Sequence, residues 1–412
     1  MKILEIATST SPQKVYNDPN AKRGSGYDFM TYEIAKHLAK IPENSVDFFT
    51  IVQFHKKNKI DNITLLQNEL KKTIFHFSPY LFLKSLILLR CYFDFSRNAI
   101  RDILYESVLA GYYRWLIKKG HYDVIHVHGC IFSNEILKYI AKENDVKIVF
   151  TLHGLNSVSK TTNTYNSNRK YERDFLRECY LNNQLVSFVS SGCIKSVHNI
   201  LNISDTPSFR TILNGCEISS VTGDVIDIRA RYNIPDNSFI LLYVGNISKN
   251  KNQEAVVHAF DLMDADLLDR TYILFLGGIN NAYRQEWASV LDNSKYRSHF
   301  IECGFISKSE IHNYYSQSNG NILISVVEGF GLSIIESMSF GKPSIVDMNM
   351  DIASDINDDK IIKFVDRKSP VSIVEGIQTL LRSEWNGKYM VEQAQRFSFE
   401  QMAIRYMELL KS

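Results

Sequence analysis

ILISVVEGFGLSIIESMSFGKPSIV, Ile322 to Val346, reads as a buried strand, a tight glycine-bearing turn and a helix. Glu328 stands just before Gly329-Phe330-Gly331, and the helix is predicted to begin at this glutamate and to carry Glu336 two turns in. A helix N-terminus approached by small residues receives anionic oxygens on its free N–H groups and on the positive end of its dipole. Eight helical residues at about 1.5 Å each would hold the two carboxylates roughly 12 Å apart. That span is too long for both to act on one bond, and it suits the two ends of an extended ligand such as a nucleotide diphosphate sugar.

The rest of the chain sets the frame for this unit. Its 412 residues are enough for two or three domains with cores of their own. A net charge of +2 gives no electrostatic reason to expect nucleic acid. Six cysteines, at 91, 130, 179, 193, 216 and 303, lack metal-type spacing and fall mostly in apolar runs, which predicts reduced core residues of a cytoplasmic protein. MKILEIATS is expected to be a strand and not a cleavable leader, and no run of roughly 18 apolar residues spans a membrane.

Short apolar runs recur between helical stretches: 3–7, 46–52, 124–127, 148–152, 185–189, then 239–244, 272–276, 300–301, 322–325 and 344–346. Strands without alternation, each followed by a helical period, predict parallel sheets covered on both faces, with ligands at the carboxyl ends of the strands. Breaks at Ser204-Asp205-Thr206-Pro207 and in the polar stretch 221–237 place a first domain at 1–207 and a second at 208–390. A terminal amphipathic segment, 391–412, follows, with Met402, Tyr406, Leu409 and Leu410 on one face of its helix.

Glu328, Gly329-Phe330-Gly331-Leu332, Glu336, Ser337-Met338 and Gly341-Lys342-Pro343 together resemble the signature of the retaining glycosyltransferases of family four. The resemblance implies the GT-B architecture: two Rossmann-like doubly wound domains facing a cleft, with the last helix crossing back to the first domain. It implies transfer of a sugar from a UDP- or GDP-sugar to a saccharide or lipid-linked acceptor, without a metal or other cofactor, as in surface polysaccharide or lipopolysaccharide assembly. Glu336 would hold the ribose hydroxyls, while Glu328 and the backbone of Gly329, Phe330, Gly331 and Leu332 would hold the donor sugar. An epimerase or phosphorylase on the same fold, or a binding protein derived from a transferase, are the alternatives.

Other segments gain meaning beside this signature. Gly245-Asn246-Ile247-Ser248-Lys249-Asn250-Lys251-Asn252 lies where the family carries Gly-Arg-Leu-x-x-x-Lys-Gly, so Lys251 is expected on the donor diphosphate with Asn246 in the place of the arginine. An asparagine donates a hydrogen bond but supplies no charge, and Lys249 is the nearby cation that would compensate. Arg23-Gly24-Ser25-Gly26 occupies the place of the family's glycine loop, with Gly26 preferred over Gly24 for donor contact. Thr151-Leu152-His153 matches the family's Thr-x-His, whose histidine reaches toward the donor sugar. His126 and His128 alternate along a strand as a metal pair would, but no third ligand lies near in sequence, and no metal is expected there. Asp264-Ala265-Asp266 reads as a solvated helix face and not a metal motif, and Asn214-Gly215-Cys216-Glu217 reads as the turn joining the domains. The apolar region Pro79–Trp115, with Arg90, Asp94, Arg97 and Arg101 spaced as a helical stripe, is either a buried helix with one solvated face or a helix seated at a lipid interface of the inner membrane.

Overall fold

The computed structural model describes residues 1–8, 10, 26–52, 59–67, 69–92, 97–155, 166–218, 225–262, 267 and 269–412, with backbone alone at 97–99, 166, 308 and 309. The chain forms two compact units, Met1–Gly215 with Phe399–Ser412, and Cys216–Ser398.

The first unit contains β1 (Lys2–Ile6), β2 (Ser45–Thr50), β3 (Lys59–Ile60), β4 (Ile63–Gln67), β5 (Val124–His128), β6 (Lys147–Leu152), β7 (Val186–Phe188) and β8 (Phe209–Thr211). They lie in the order β3-β4-β2-β1-β5-β6-β7-β8, parallel except for the β3–β4 hairpin. That hairpin turns through Asp61 and Asn62 at φ 50° and 65°, left-handed positions that these two short polar residues tolerate. Helices cover the sheet, so β1 and β5 are buried almost throughout, Glu5, His126 and His128 included. The helix Phe399–Lys411 packs on the helix Gly26–Ala39 of this same unit. Gly215 lets it approach, since a Cβ there would meet Phe399 Cα at 2.9 Å.

The second unit contains β9 (Phe239–Val244), β10 (Thr271–Leu276), β11 (Phe300–Gly304), β12 (Gly320–Leu323), β13 (Ser344–Asp347) and β14 (Ile362–Val365), all parallel, in the order β11-β10-β9-β12-β13-β14. Counted from β9 this is the doubly wound order 3-2-1-4-5-6, whose direction reverses between β9 and β12. Ile228, Ile234, Ile240, Leu242, Leu274, Leu276, Tyr314 and Tyr315 form a buried cluster beside the sheet. Each such aliphatic side chain contributes about 1.5–3 kcal/mol by leaving water.

Three expectations change. The first unit runs to Gly215 and not 207, because Phe209–Thr211 pairs with β7; the second continues to Ser398, and the C-terminal segment that belongs to the first unit starts at Phe399 and not 391. The helix predicted from Glu328 starts at Leu332, leaving Glu328 on the preceding loop and Glu336 only five residues into the helix. The Pro79–Trp115 region holds two helices, Pro79–Leu89, which a short 3-10 turn at Arg90–Tyr92 follows, and Arg97–Gly120, so Arg90 and Arg101 do not share one described helix; Asp94 and the Arg97 side chain lie outside the described residues. The helix Pro79–Leu89 buries Leu81, Ser85 and Leu89 and turns Tyr80, Leu83 and Ile87 outward, so its exposed face is apolar.

Candidate active site

The topological reversal of the second sheet places the loop after β9 beside the segment after β12, where a doubly wound sheet binds its ligands. The first loop carries Gly245 to Asn252 and the second Ser325 to Gly331. Asn250 joins them: its amide donates to the Val327 carbonyl at 2.9 Å, its side-chain oxygen accepts the Val327 N–H at 3.2 Å, and its own carbonyl accepts the Val326 N–H at 2.7 Å. The buried Tyr243 hydroxyl adds a second tie, donating to the Lys251 carbonyl and accepting the Ile324 N–H at 3.2 Å.

These ties bring Lys251 and Glu328 into an ion pair, with Ser325 Oγ donating to the same carboxylate at 3.3 Å. Side-chain exposures of 23% and 20% leave both groups shielded yet reachable. Gly329-Phe330-Gly331 then turns the chain into the helix Leu332–Ser339; Gly331, at φ 86°, is its N-terminal cap, packed so closely that a Cβ would meet Leu323 at 3.0 Å. The helix closes with Gly341 at φ 68°, where the N–H groups of Gly341 and Lys342 bond to the Met338 and Ser337 carbonyls in a Schellman motif. The Gly-Lys-Pro sequence therefore ends the helix and starts β13. Within the helix, Glu336 accepts from the Tyr315 hydroxyl at 2.7 Å, and burial together with that carboxylate pushes the phenol well above its ordinary range.

The departures from the expected glycine-arginine loop have local explanations. Asn252 sits at φ 57° as the cap of the helix Gln253–Phe260, in the left-handed conformation that glycine favours and asparagine tolerates. Asn246 Oδ1 accepts the Gly278 N–H at 3.2 Å, tying the loop after β9 to that after β10. Beneath that tie Gly245 and Gly277 pass so closely that a Cβ on Gly277 would collide with the Gly245 carbonyl. Lys249 is bound to Glu254 at 3.2 Å and to Glu286, so its charge is already engaged away from Glu328.

In the first unit, Gly26 begins the helix Gly26–Ala39, and a Cβ there would meet nothing within 4 Å among the described residues, while Gly24 lies outside them. Tyr27, next to Gly26, sets its ring edge-on to His153 at 5.2 Å and donates to the His128 carbonyl at 2.9 Å. His153 follows β6, and its Nε2 lies 3.0 Å from His128 Nδ1. His128 Nε2 in turn lies 2.7 Å from Glu5 Oε2, and His126 Nδ1 lies 2.9 Å from the same oxygen. His126 Nε2 contacts Thr151 Oγ1 at 2.6 Å, which contacts Ser187 Oγ at 2.6 Å. Burial would raise the Glu5 carboxyl, but the charge of His126 and the hydrogen bonds of both rings outweigh it and hold it down at about 2. Burial and the neighbouring His126 hold His128 down at about 4, and burial with the other two rings holds His153 well below the imidazole range.

Glu5 thus supplies the third ligand-type group beside His126 and His128 that sequence proximity did not, the donor atoms of the three all lying within 4.8 Å of one another. Here those atoms are spent on one another as hydrogen bonds. The signal was present in the sequence as an acid inside the apolar strand KILEI. Asn250 and Tyr315 gave no such signal. Asp264 and Asp266 lie outside the described residues, and Cys216 is buried, which pushes its thiol well above the usual range.

Comparison with known proteins accounts for both halves of the chain. The family model "Glycosyltransferase Family 4" matches residues 92–219, and "Glycosyl transferases group 1" matches 224–397. Over 246 residues, 58% of this chain and 60% of the relative, the chain is 25% identical to N-acetyl-alpha-D-glucosaminyl L-malate synthase of Bacillus anthracis. Over 190 residues, 41% of this chain and 22% of the relative, it is 28% identical to the serotype-specific mannosyltransferase WbdA of Escherichia coli. Each match spans less than two thirds of that relative's length. The fold matches that of Anabaena HepE, solved with UDP and glucose, at a TM-score of 0.70 and 15% identity, covering 100% of this chain and 99% of the other. With these matches over two doubly wound domains, the chain belongs to the family-four glycosyltransferases of the GT-B fold.

Proposed function

We propose that this glycosyltransferase moves a hexosyl group, with retention, from a nucleotide diphosphate sugar to a saccharide or lipid-linked acceptor in the assembly of a bacterial surface polysaccharide or lipopolysaccharide. The observation that carries the reading is the Lys251–Glu328 ion pair beside the N-terminus of the helix Leu332–Ser339, with Glu336 on that helix. Lys251 and the helix N-terminus offer positive charge to a diphosphate, which is where negative charge accumulates as the sugar departs. Glu328 and the backbone at Gly329, Phe330, Gly331 and Leu332 take the sugar, and Glu336 takes the ribose hydroxyls. In the transfer the bond from C1 of the sugar to the phosphate oxygen breaks, the acceptor oxygen bonds C1 on the same face, and the acceptor proton passes to the departing phosphate. No metal is assigned a part. His153 and Gly26 are assigned to sugar and phosphate contacts respectively. UDP is the favoured nucleotide because the fold match to HepE includes a UDP-bound structure.

The acceptor reading includes peripheral contact with the cytoplasmic face of the membrane. Leu70, Ile74, Phe75, Tyr80, Leu83 and Ile87 are exposed on two successive helices, beside the exposed Lys71 and Lys72. No helix among the described residues is long and apolar enough to cross a membrane.

A thermal-shift screen of UDP-, GDP- and ADP-sugars followed by turnover assays tests the reading. A specific ligand at 100 times its dissociation constant adds about 2.7 kcal/mol of stability. Glu336→Ala should weaken nucleotide binding, and Glu328→Ala should lower transfer more than it lowers affinity for the free nucleotide. Stabilisation without transfer by any sugar nucleotide would identify a binding protein instead, and sugar release dependent on added phosphate would identify a phosphorylase.

A further inference from the structure

We propose that Glu5, acting through His128, fixes the ring tautomer of His153 so that His153 offers an unprotonated Nδ1 as a hydrogen-bond acceptor to a hydroxyl group of the sugar. The identity of that ligand rests on the role proposed for His153 above, whereas the tautomer does not.

The pleat puts the chain of groups together. Glu5 stands opposite His126 in the parallel register of β1 and β5, and His126 and His128 alternate on β5, as Thr151 and His153 alternate at the end of β6. Glu5, His126 and His128 are all completely buried, so every polar atom among them needs a protein partner. An ionised carboxylate only accepts hydrogen bonds, so His128 Nε2, 2.7 Å from Glu5 Oε2, carries a proton and donates it. A neutral imidazole has one N–H, which leaves His128 Nδ1 as a bare acceptor. His153 Nε2, 3.0 Å away, must then be the donor in that contact. With its single proton on Nε2, His153 keeps a lone pair on Nδ1. That atom is buried and has no hydrogen-bond partner among the described residues.

The arrangement is directional. A carboxylate behind an imidazole sets which nitrogen is protonated and how the ring is held. Here the control passes through two rings in series, from a residue in the middle of β1 to one just past the end of β6. Tyr27, edge-on to His153 and bonded to the His128 carbonyl, holds the far ring against rotation. Glu5 is therefore a positioning residue: it touches no ligand, yet it decides whether His153 accepts from a sugar hydroxyl or competes with it as a donor.

The decisive measurement is nitrogen NMR of the full chain labelled with 15N-histidine, His153 being assigned by loss of its signals in His153→Gln. The expected wild-type pattern is a protonated Nε2 and an unprotonated Nδ1 at His153, with no ligand added. In Glu5→Gln the amide can donate to His128 Nε2, so both rings are released to the opposite tautomer, and kcat/KM with the sugar nucleotide should fall by at least about tenfold. Glu5→Asp, which keeps an acceptor-only group, should retain the wild-type tautomer. A His153 protonated on Nδ1 in the wild type overturns the proposal even if Glu5→Gln does not fold, as does a Glu5→Gln protein whose His153 tautomer is unchanged. Saturable zinc-induced shifts of the His126 and His128 nitrogens would assign the buried trio to an ion and overturn the relay. If instead the tautomers behave as expected and no sugar nucleotide is turned over, the relay stands and the proposed transferase reading fails.

Discussion

Asn250 holds Val327 by both of its peptide groups, the side-chain amide donating to the carbonyl at 2.9 Å and the side-chain oxygen accepting the N–H at 3.2 Å. One residue on the loop after β9 thereby sets the backbone immediately before Glu328, and its neighbour Lys251 is the cation paired with that glutamate. Asn250→Ala should leave a half-buried N–H and carbonyl without partners, at a cost of about 1–3 kcal/mol in unfolding free energy. Urea denaturation reads that loss. Transfer should fall by more than the loss of folded protein explains, because both halves of the ion pair move; an unaltered kcat in the folded fraction would contradict this.

Lys251, Asn246 and Lys249, all on the same loop, should separate in steady-state kinetics. Lys251→Ala removes the charge proposed for the departing diphosphate, and a lost transition-state donor costs about 2.7–4 kcal/mol, so the rate should fall about a hundredfold or more. Asn246→Ala should cost less, since the Asn246 oxygen is occupied in holding the Gly278 N–H. Lys249 is neutralised by Glu254 and Glu286, so Lys249→Ala should stay within a few-fold of wild type. A Lys249→Ala loss equal to that of Lys251→Ala would show that Lys249 leaves its acids to take the place of the missing arginine.

The features legible in the sequence are those written locally. Unbroken apolar runs such as Phe239–Val244 announce buried parallel strands, and Glu328-Gly329-Phe330-Gly331 announces a glycine turn into a helix. Two outlying strands were not legible: Phe209–Thr211, at the sheet edge, is three residues with a central arginine, and Ile63–Gln67, one strand in from the other edge, ends in a polar residue, so neither forms an apolar run. The site residues that went unread act across the fold. Glu5 meets His128 from 123 positions away, and Asn250 meets Val327 from 77. A buried glutamate on an apolar strand and a pair of alternating histidines each look incomplete alone; only the register of β1 against β5 joins them.

The buried histidines predict acid sensitivity. His128 titrates at about 4 in the folded protein, against 6.5 for an ordinary imidazole, and His153 is also lowered. A base with a depressed folded value binds fewer protons folded than unfolded, so the stability it confers is complete above 6.5 and is lost as pH falls toward 4. The loss falls across that window because both rings must take up protons that the fold disfavours. Unfolding free energy measured by urea titration between pH 7 and 4 should therefore decline steeply. His153→Gln should flatten the slope, and a wild-type stability that stays level across the window would refute the assignment of neutral, buried rings.

The apolar faces of the helices Leu70–Phe75 and Pro79–Leu89 supply the last prediction. Phe75 is 83% exposed and Leu70 70%, values that leave most of each side chain in water. Lys71, on the same helix, is exposed beside them, so the surface combines the apolar and basic groups that a leaflet of anionic lipid attracts. The protein should sediment with anionic liposomes and be partly released by salt, which screens the lysines but leaves the apolar contact. Ile74→Glu, Phe75→Glu and Leu83→Glu together should abolish sedimentation while leaving the melting temperature close to wild type, since these side chains are exposed and contribute little to the core. Turnover of a water-soluble acceptor should be unaffected by the triple variant, whereas turnover of a lipid-linked acceptor in vesicles should drop. Equal sedimentation of both proteins would remove these helices from the membrane contact, and equal loss on both acceptors would mean that the substitutions act on the fold and not on the surface.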